Sequence, residues 1–298
     1  MFSILTPTYN RAHTLERVYL SLLAQTDQDF EWHIIDDAST DDTKNLVDVW
    51  LKKELPFTIS YHLLEVNKGK PNALNEGLNF CTRPITIIAD SDDSFGPETI
   101  ADLKNLWGTV DLSENPGKIA SIWTLVHDEK NELVGEPFPF NFWQVDLNKR
   151  ILDRKKVVSG EKWHSWRTDV LKKFKMYHSE HSFISEGATW NRINKEYDFL
   201  CVNIFHRVYF ESPDGLILKK KSRLEIEKNK FYNSYYQLIE TPILDIFKYP
   251  YYHQIAFNYV KSILIYKNRD LNLGLRKFLC CFVLSIWHTP KRILSYFN

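Results

Sequence analysis

The first 126 residues alternate between two hydrophobic periodicities. A short apolar run over residues 2–6 gives way to 11–25, where Leu15, Val18, Tyr19, Leu22 and Leu23 recur at helical spacing. A second strand is predicted over 32–35, stopped by Asp36 and Asp37. Thr40 is placed to cap a helix carrying Leu46, Val47, Val49 and Trp50. Further strands are predicted over 57–64, 85–89 and 119–126, with helices over 73–80 and from a first turn at Pro97. Near-continuous apolar strands alternating with helices imply an α/β fold whose mostly parallel sheet is covered on both faces. In such sheets ligands gather at the carboxyl ends of the strands, and polar clusters follow three of these strands there.

Beyond residue 126 the pattern loosens. Segment 135–150, rich in Pro, Phe and Asn, predicts a long loop. Residues 156–225 mix strands with a helix around 185–197, and the chain then turns helical and aromatic-rich before a basic, apolar tail. The expected organisation is one domain over 1–225, in halves 1–117 and 118–225, followed by a helical extension over 226–298.

Charge sharpens this division. The 298 residues carry no net formal charge, yet residues 1–117 hold 9 Lys+Arg against 19 Asp+Glu, and the remainder 29 against 19. An acidic first half suits a divalent cation; a basic second half suits phosphates, an anionic acceptor or a membrane surface. Basic residues follow no nucleic-acid reading motif, so a nucleic-acid partner is not expected. The four cysteines form no Cys-x-x-Cys pair and Met1 leads straight into an apolar run without a signal-peptide pattern, which together read as a reduced, cytoplasmic protein.

Three motifs carry candidate chemistry. Pro7-Thr8-Tyr9-Asn10-Arg11 stands with Asp36-Asp37-Ala38-Ser39-Thr40-Asp41, where a carboxylate can accept the N3–H of a pyrimidine and Tyr9 can pack on the ring. A turn that merely caps a helix is the alternative. The run Asn67-Lys68-Gly69-Lys70-Pro71-Asn72-Ala73-Leu74-Asn75-Glu76-Gly77 opens a helix and can cradle a diphosphate. Ile87-Ile88-Ala89-Asp90-Ser91-Asp92-Asp93 ends a buried strand in three carboxylates, which repel one another unless a cation joins them. Oxygen ligands suit Mg²⁺ or Mn²⁺.

In this order and spacing the motifs resemble glycosyltransferase family 2, strongly over residues 1–100 and more weakly to about 225. The resemblance implies the GT-A fold, a Rossmann-like mixed, mostly parallel sheet flanked by helices. It also implies an inverting transferase using a nucleotide diphosphate sugar, UDP-linked in the first instance, and a divalent metal. Asp37 then resembles the base-contacting acid, with Pro7 and Tyr9 beside it; Asp90 resembles the acid near the ribose, Asp92 the direct metal ligand, and Lys70 falls in the loop that approaches the nucleotide, with Arg11 and Ser91 also assigned to nucleotide-sugar binding. For the catalytic base Glu186 fits, in Phe183-Ile184-Ser185-Glu186-Gly187-Ala188-Thr189-Trp190, with Glu180 second. Trp163, Trp166 and Trp190 are candidates to line the acceptor site, against core packing. Lys219, Lys220, Lys221 and Arg223 are candidates to close over the diphosphate, and His206 to reach a metal. The implied acceptor is a saccharide or lipid-linked sugar of bacterial surface polysaccharide or lipopolysaccharide. The apolar block 278–287, with basic residues on both sides, either packs on the catalytic domain or a second subunit or lies at the inner face of the membrane; a homo-oligomer is compatible. Rival readings are a sugar-phosphate nucleotidyltransferase, which would want a Gly-rich, Arg-containing N-terminal signature, and a catalytically silent nucleotide-sugar-binding module.

Overall fold

The computed structural model describes residues 1–153, 157–211, 221–266 and 271–295. Its strands, in chain order, are β1 (Phe2–Thr8), β2 (Phe30–Asp36), β3 (Thr58–Leu63), β4 (Ile85–Ile88), β5 (Ser94–Phe95), β6 (Ile119–Asp128), β7 (Trp143–Val145), β8 (Lys162–Arg167) and β9 (Asp198–Tyr209). They form one sheet in the order β3-β2-β1-β4-β8-β6-β9-β5, with β7 on β9. The first four pair in parallel, Thr8 opposite Asp36 and Leu5 opposite Ile88. From β8 the sheet is mixed, since β8 runs antiparallel to both β4 and β6. The sequence expectation of an α/β, mostly parallel sheet holds for the half that carries the motifs.

Helices α1 (Ala12–Leu23), α2 (Thr43–Trp50), α3 (Lys70–Gly77) and α4 (Thr99–Asp111) join these strands. In α1 the inward stripe is Leu15, Val18, Tyr19 and Leu22, all buried. Tyr19 stacks on Trp50 of α2 at 4.3 Å between ring centroids, with Trp32 of β2 beside both. Gly77 closes α3 because a Cβ there would run into Leu5 and Ile35, so only glycine lets this helix lie flush on the sheet.

Two local expectations are corrected. Thr40 does not cap α2: the helix begins at Thr43, and Asp41 supplies its carboxylate to the Thr43 amide at 3.0 Å. The Thr40 amide instead donates to Asn10 Oδ1 at 2.8 Å. Segment 135–150 is not loop throughout, because β7 crosses it and pairs antiparallel with β9, Trp143 opposite Cys201, and covers an edge that would otherwise stand open.

The remaining helices are α5 (Thr168–Lys173), α6 (Gly187–Glu196), α7 (Arg223–Ile239), α8 (Ile243–Lys248), α9 (Pro250–Tyr266) and α10 (Leu275–Ser295). The chain divides into two compact units that interleave in sequence: Met1–Asp146, Lys156–Met176 and Arg192–Leu218 form the first, and Leu147–Lys155, Tyr177–Asn191 and Lys219–Asn298 the second. The second unit has its own core, in which Leu147, Ile151 and Ile184 meet Phe231, Tyr252, Tyr259 and Cys281. Ser222 opens α7 with a capping box, exchanging bonds with Glu225. The last helix is two-faced. Cys280, Cys281, Leu284 and Ser285 are buried, while Leu279, Phe282, Val283, Ile286 and Trp287 are exposed. Among the described residues no helix is long and apolar enough to cross a membrane.

Candidate active site

The site lies in the first unit, where the carboxyl ends of β2, β1 and β4 stand side by side. The two segments of its first motif, 7–11 and 36–41, interlock as one turn. Asn10, at φ 52°, donates its amide to Ser39 Oγ at 2.8 Å, while its own carboxamide oxygen accepts from the Thr40 amide. Asp41 Oδ2 accepts from the Ala12 amide at 3.1 Å, so α1 is capped by a carboxylate borrowed from the turn after β2. Pro7 is buried in β1, Arg11 half-buried at the helix entrance, and the Tyr9 ring, 45% exposed, is available as a stacking face.

The two aspartates after β2 do different jobs. Asp36 accepts from Tyr61 Oη at 2.5 Å and from the Ser39 amide at 2.7 Å. Asp37 accepts from the backbone amides of Lys68 at 3.0 Å and Gly69 at 2.6 Å, which fixes the loop bearing Lys70. At 3% exposure, Asp37 is a wall of the site before it is a ligand to anything in it. Gly69 turns at φ 87°, open to glycine, and delivers Lys70 at the start of α3. Asn75, in the same motif, is buried and exchanges two hydrogen bonds with the Met176 backbone, 3.0 and 2.7 Å, so the second half of the motif serves packing.

In the acidic run the internal pairing was not legible in sequence. Lys70 Nζ lies 2.6 Å from Asp90 Oδ1. Arg207 of β9 puts Nε 2.5 Å from Asp93, Nη2 3.8 Å from Asp90 and Nη1 3.7 Å from Glu161. The repulsion that sequence reasoning assigned to a metal is therefore met in large part by Lys70 and Arg207. Burial works against ionised Asp90, but Lys70 and Arg207 outweigh it and hold its carboxyl below the usual range. Burial and then the Asp90 charge push the Asp92 carboxyl above that range. Burial pushes Asp93 up to about 8 against the pull of Arg207. The Asp92 carbonyl accepts from Arg17 Nη1 at 2.6 Å, and that guanidinium rests on the Phe210 ring at 3.7 Å. Ser91 is buried between these carboxylates. Among the described residues no group of three or more His, Cys, Asp or Glu is disposed to hold a metal.

Trp163 and Trp166 are buried in the sheet, as the core-packing alternative has it. Trp163 Nε1 donates to the Ile88 carbonyl at 2.9 Å and so steadies the strand end before Asp90. Trp166 packs on Phe199 and Trp123 and donates to His164 Nδ1 at 2.8 Å. An indole only donates, so His164 carries its proton on Nε2; burial, with Lys70 and Arg207 nearby, lowers its pKa to about 3. His206 is buried 3.5 Å from Asp102, away from a ligand role. In the second unit Glu186 precedes α6 and accepts the first helical bonds from Thr189 and Trp190 at its carbonyl, with its side chain half-buried. Trp190 is buried there and Glu180 exposed. Lys221 is exposed and Arg223 opens α7, while Lys219 and Lys220 lie outside the described residues.

The family model for Glycosyl transferase family 2 matches residues 3–174, more than half of the chain. This chain belongs to glycosyltransferase family 2. Over 106 residues it is 32% identical to the abequosyltransferase RfbV of Salmonella typhimurium, covering 35% of this chain and 32% of that one. Over 95 residues it is 32% identical to the putative teichuronic acid biosynthesis glycosyltransferase TuaG of Bacillus subtilis, covering 32% and 37%. The matches thus span about a third of these curated relatives' own length. Among solved structures, S. aureus TarS 1–349 in complex with UDP-GlcNAc matches 89% of this chain and 73% of its own, at 18% identity and a TM-score of 0.58. The mannosyltransferase PcManGT from Pyrobaculum calidifontis, in complex with GDP-Man and Mn²⁺, matches 99% and 83%, at 16% identity and 0.57. At these identities the likeness is one of fold, and that fold is GT-A.

The residues that sequence reasoning missed are Arg17, Glu161 and Arg207. A signal was present for Arg207: a charged residue inside the otherwise apolar and aromatic strand Ile204-Phe205-His206-Arg207-Val208-Tyr209 needs a buried counter-charge.

Proposed function

We propose that this family 2 member is an inverting transferase moving a sugar from a nucleotide diphosphate sugar, UDP-linked in the first instance, to an acceptor hydroxyl. The observation that carries the reading is the gathering of the motifs where the adjacent strands β2, β1 and β4 end: the Asp37 turn, the Tyr9 turn and the Asp90–Ser91–Asp92 run, with the Lys70 loop tied to Asp37 and Asp90. UDP-GlcNAc in the TarS structure and GDP-Man in PcManGT support a nucleotide-sugar donor. In this reading Tyr9 stacks on the base, and Asp37, through the lone pairs its loop bonds leave, marks the base edge. Lys70 exchanges part of its hold on Asp90 for the diphosphate, and Arg11 stands beside it.

A divalent metal fits this chain in a specific way. Asp90 and Asp93 are engaged by Lys70 and Arg207, which leaves Asp92 as the oxygen ligand, its carboxyl raised by burial and by Asp90. A cation held mainly by phosphate oxygens and water needs only one or two carboxylates. Bound there, Mn²⁺ or Mg²⁺ supplies positive charge to the departing diphosphate. Glu186 takes the acceptor proton as the hydroxyl oxygen bonds to the anomeric carbon, and the bond from that carbon to the nucleoside diphosphate breaks on the opposite face. The name of TuaG, a putative teichuronic acid biosynthesis glycosyltransferase, supports an acceptor in bacterial polysaccharide assembly.

The test is a panel of nucleotide sugars with Mn²⁺ or with chelator, scored by thermal shift and donor hydrolysis. A cognate donor at a hundred times its Kd stabilises by about 2.7 kcal/mol, several degrees in Tm, and chelator removes the shift. A panel with no shift at all sinks the proposal; binding without any turnover leaves a nucleotide-sugar-binding module.

The open stripe of α10, with Leu279, Phe282, Ile286 and Trp287, lies among Arg276, Lys291 and Arg292 in sequence, the makings of a helix that rests on anionic headgroups. Changing Leu279, Phe282 and Ile286 together to Gln is expected to abolish cosedimentation with anionic liposomes at low salt while Tm holds. Equal pelleting of both proteins refutes it.

A further inference from the structure

Arg207 has a consequence for the donor site beyond charge balance. It is 8% exposed, and the pairing of β5 with β9 sets it directly across from Phe95, two residues past Asp93. The Gly96 amide donates to the His206 carbonyl at 3.1 Å, so the backbone leaving the acidic run is stitched to the strand that carries Arg207. From there the guanidinium reaches back to Asp93 at 2.5 Å and toward Asp90 at 3.8 Å. Three residues further on, Phe210 supports Arg17, which holds the Asp92 carbonyl. Residues 207–210 thus grip the run from both sides: Arg207 takes the side chains that flank Asp92, and Phe210, through Arg17, takes its backbone.

We propose that Arg207 is a positioning residue for the donor site: by engaging Asp93 and Asp90 it fixes which carboxylate of Asp90-Ser91-Asp92-Asp93 is presented to the metal-bound diphosphate. The inference rests on the function proposed above. Its physical basis is competition. Four carboxylates, at Asp90, Asp92, Asp93 and Glu161, share one neighbourhood with Arg207. A divalent cation offered to such a group takes whichever oxygens are least engaged, and a planar fork with fixed donors engages the flanking pair while leaving the middle one. Remove the fork and the flanking carboxylates compete for the cation in other geometries.

The experiment separates this from fold support. Arg207→Met alone strands buried carboxylates and is expected to lower Tm sharply. The paired variant Arg207→Met with Asp93→Leu removes both charges in favour of apolar groups, an exchange that is often neutral for stability. Isothermal calorimetry with UDP at rising Mn²⁺, with Tm on the metal-free protein, is then read for wild type, the paired variant and Arg207→Lys. The paired variant is expected to melt near wild type yet need at least tenfold more Mn²⁺ for half-maximal UDP binding. Arg207→Lys, which keeps the charge but not the fork, is expected to fall between them. A paired variant with wild-type Mn²⁺ dependence at a wild-type Tm overturns the proposal and leaves Arg207 as packing. So does a paired variant that cannot be folded if Arg207→Lys, folded, keeps the wild-type Mn²⁺ dependence. Wild-type protein that binds UDP with no help from Mn²⁺ removes the metal from the proposed function, and this inference with it, while leaving the nucleotide-sugar reading to the donor panel.

Discussion

Asp92→Asn is expected to lose Mn²⁺-enhanced UDP binding and to lower turnover by two orders of magnitude or more, without loss of stability. The functional loss follows from removing the one hard anionic oxygen that the paired carboxylates leave for the cation; several kcal/mol of charge stabilisation is two or more factors of ten. The unchanged stability follows from the same electrostatics with opposite sign. Burial and the Asp90 charge raise the Asp92 carboxyl in the folded protein, so its ionised form is held at a cost. The folded state binds this proton more readily than the unfolded chain, so wild-type stability falls as pH rises through the window just above the ordinary Asp range. The amide removes that charge, and the Tm of the variant should match or exceed that of wild type at neutral pH. UDP titrations with and without Mn²⁺, with melts on the same samples, decide the matter. Retained metal enhancement and turnover would falsify the assignment of Asp92.

Glu186→Gln is expected to lower turnover by roughly two to four orders of magnitude while leaving donor affinity unchanged, the signature of a lost general base. Glutamine keeps the shape of the side chain and cannot accept a proton. The substitution leaves in place the Glu186 carbonyl, which accepts from Thr189 at 2.9 Å and Trp190 at 3.0 Å at the start of α6. A fall in donor affinity parallel to the fall in rate would place Glu186 in binding instead. Near-normal turnover would move the role to Glu180, which is exposed.

Much of the first unit was readable because its strands are short, apolar and abruptly ended. Asp36, Asp37 and Asp90 each follow a buried strand, so the chain itself marks where the sheet's carboxyl edge lies. What stayed hidden is what only long-range pairing decides. Arg207 meets Asp93 across more than a hundred residues, and nothing local in either motif announces the other. Asn75 looked like part of a phosphate cradle, yet its carboxamide closes on Met176. Trp163 and Trp166 show why core packing stands beside any acceptor role. Aromatic residues near a candidate site suggest sugar stacking, but alternation along a strand covered on both faces buries them whichever way they point.

The interleaving of the two units bears on how this chain tolerates exchange with its relatives. Leu147, Ile151 and Ile184 are supplied by two segments inserted between stretches of the sheet, and they share one core with helices that begin only at Arg223. A single recombination point anywhere between these segments and α7 delivers a mosaic: one parent's inserts packed against another parent's helices. Because interiors are close-packed, such mosaics lose contacts at each mismatched side chain. Accepted variation in 147–155 and 177–191 should therefore track variation in α7, α9 and α10, and grafting a foreign helical unit onto this catalytic sheet requires three pieces of chain rather than one.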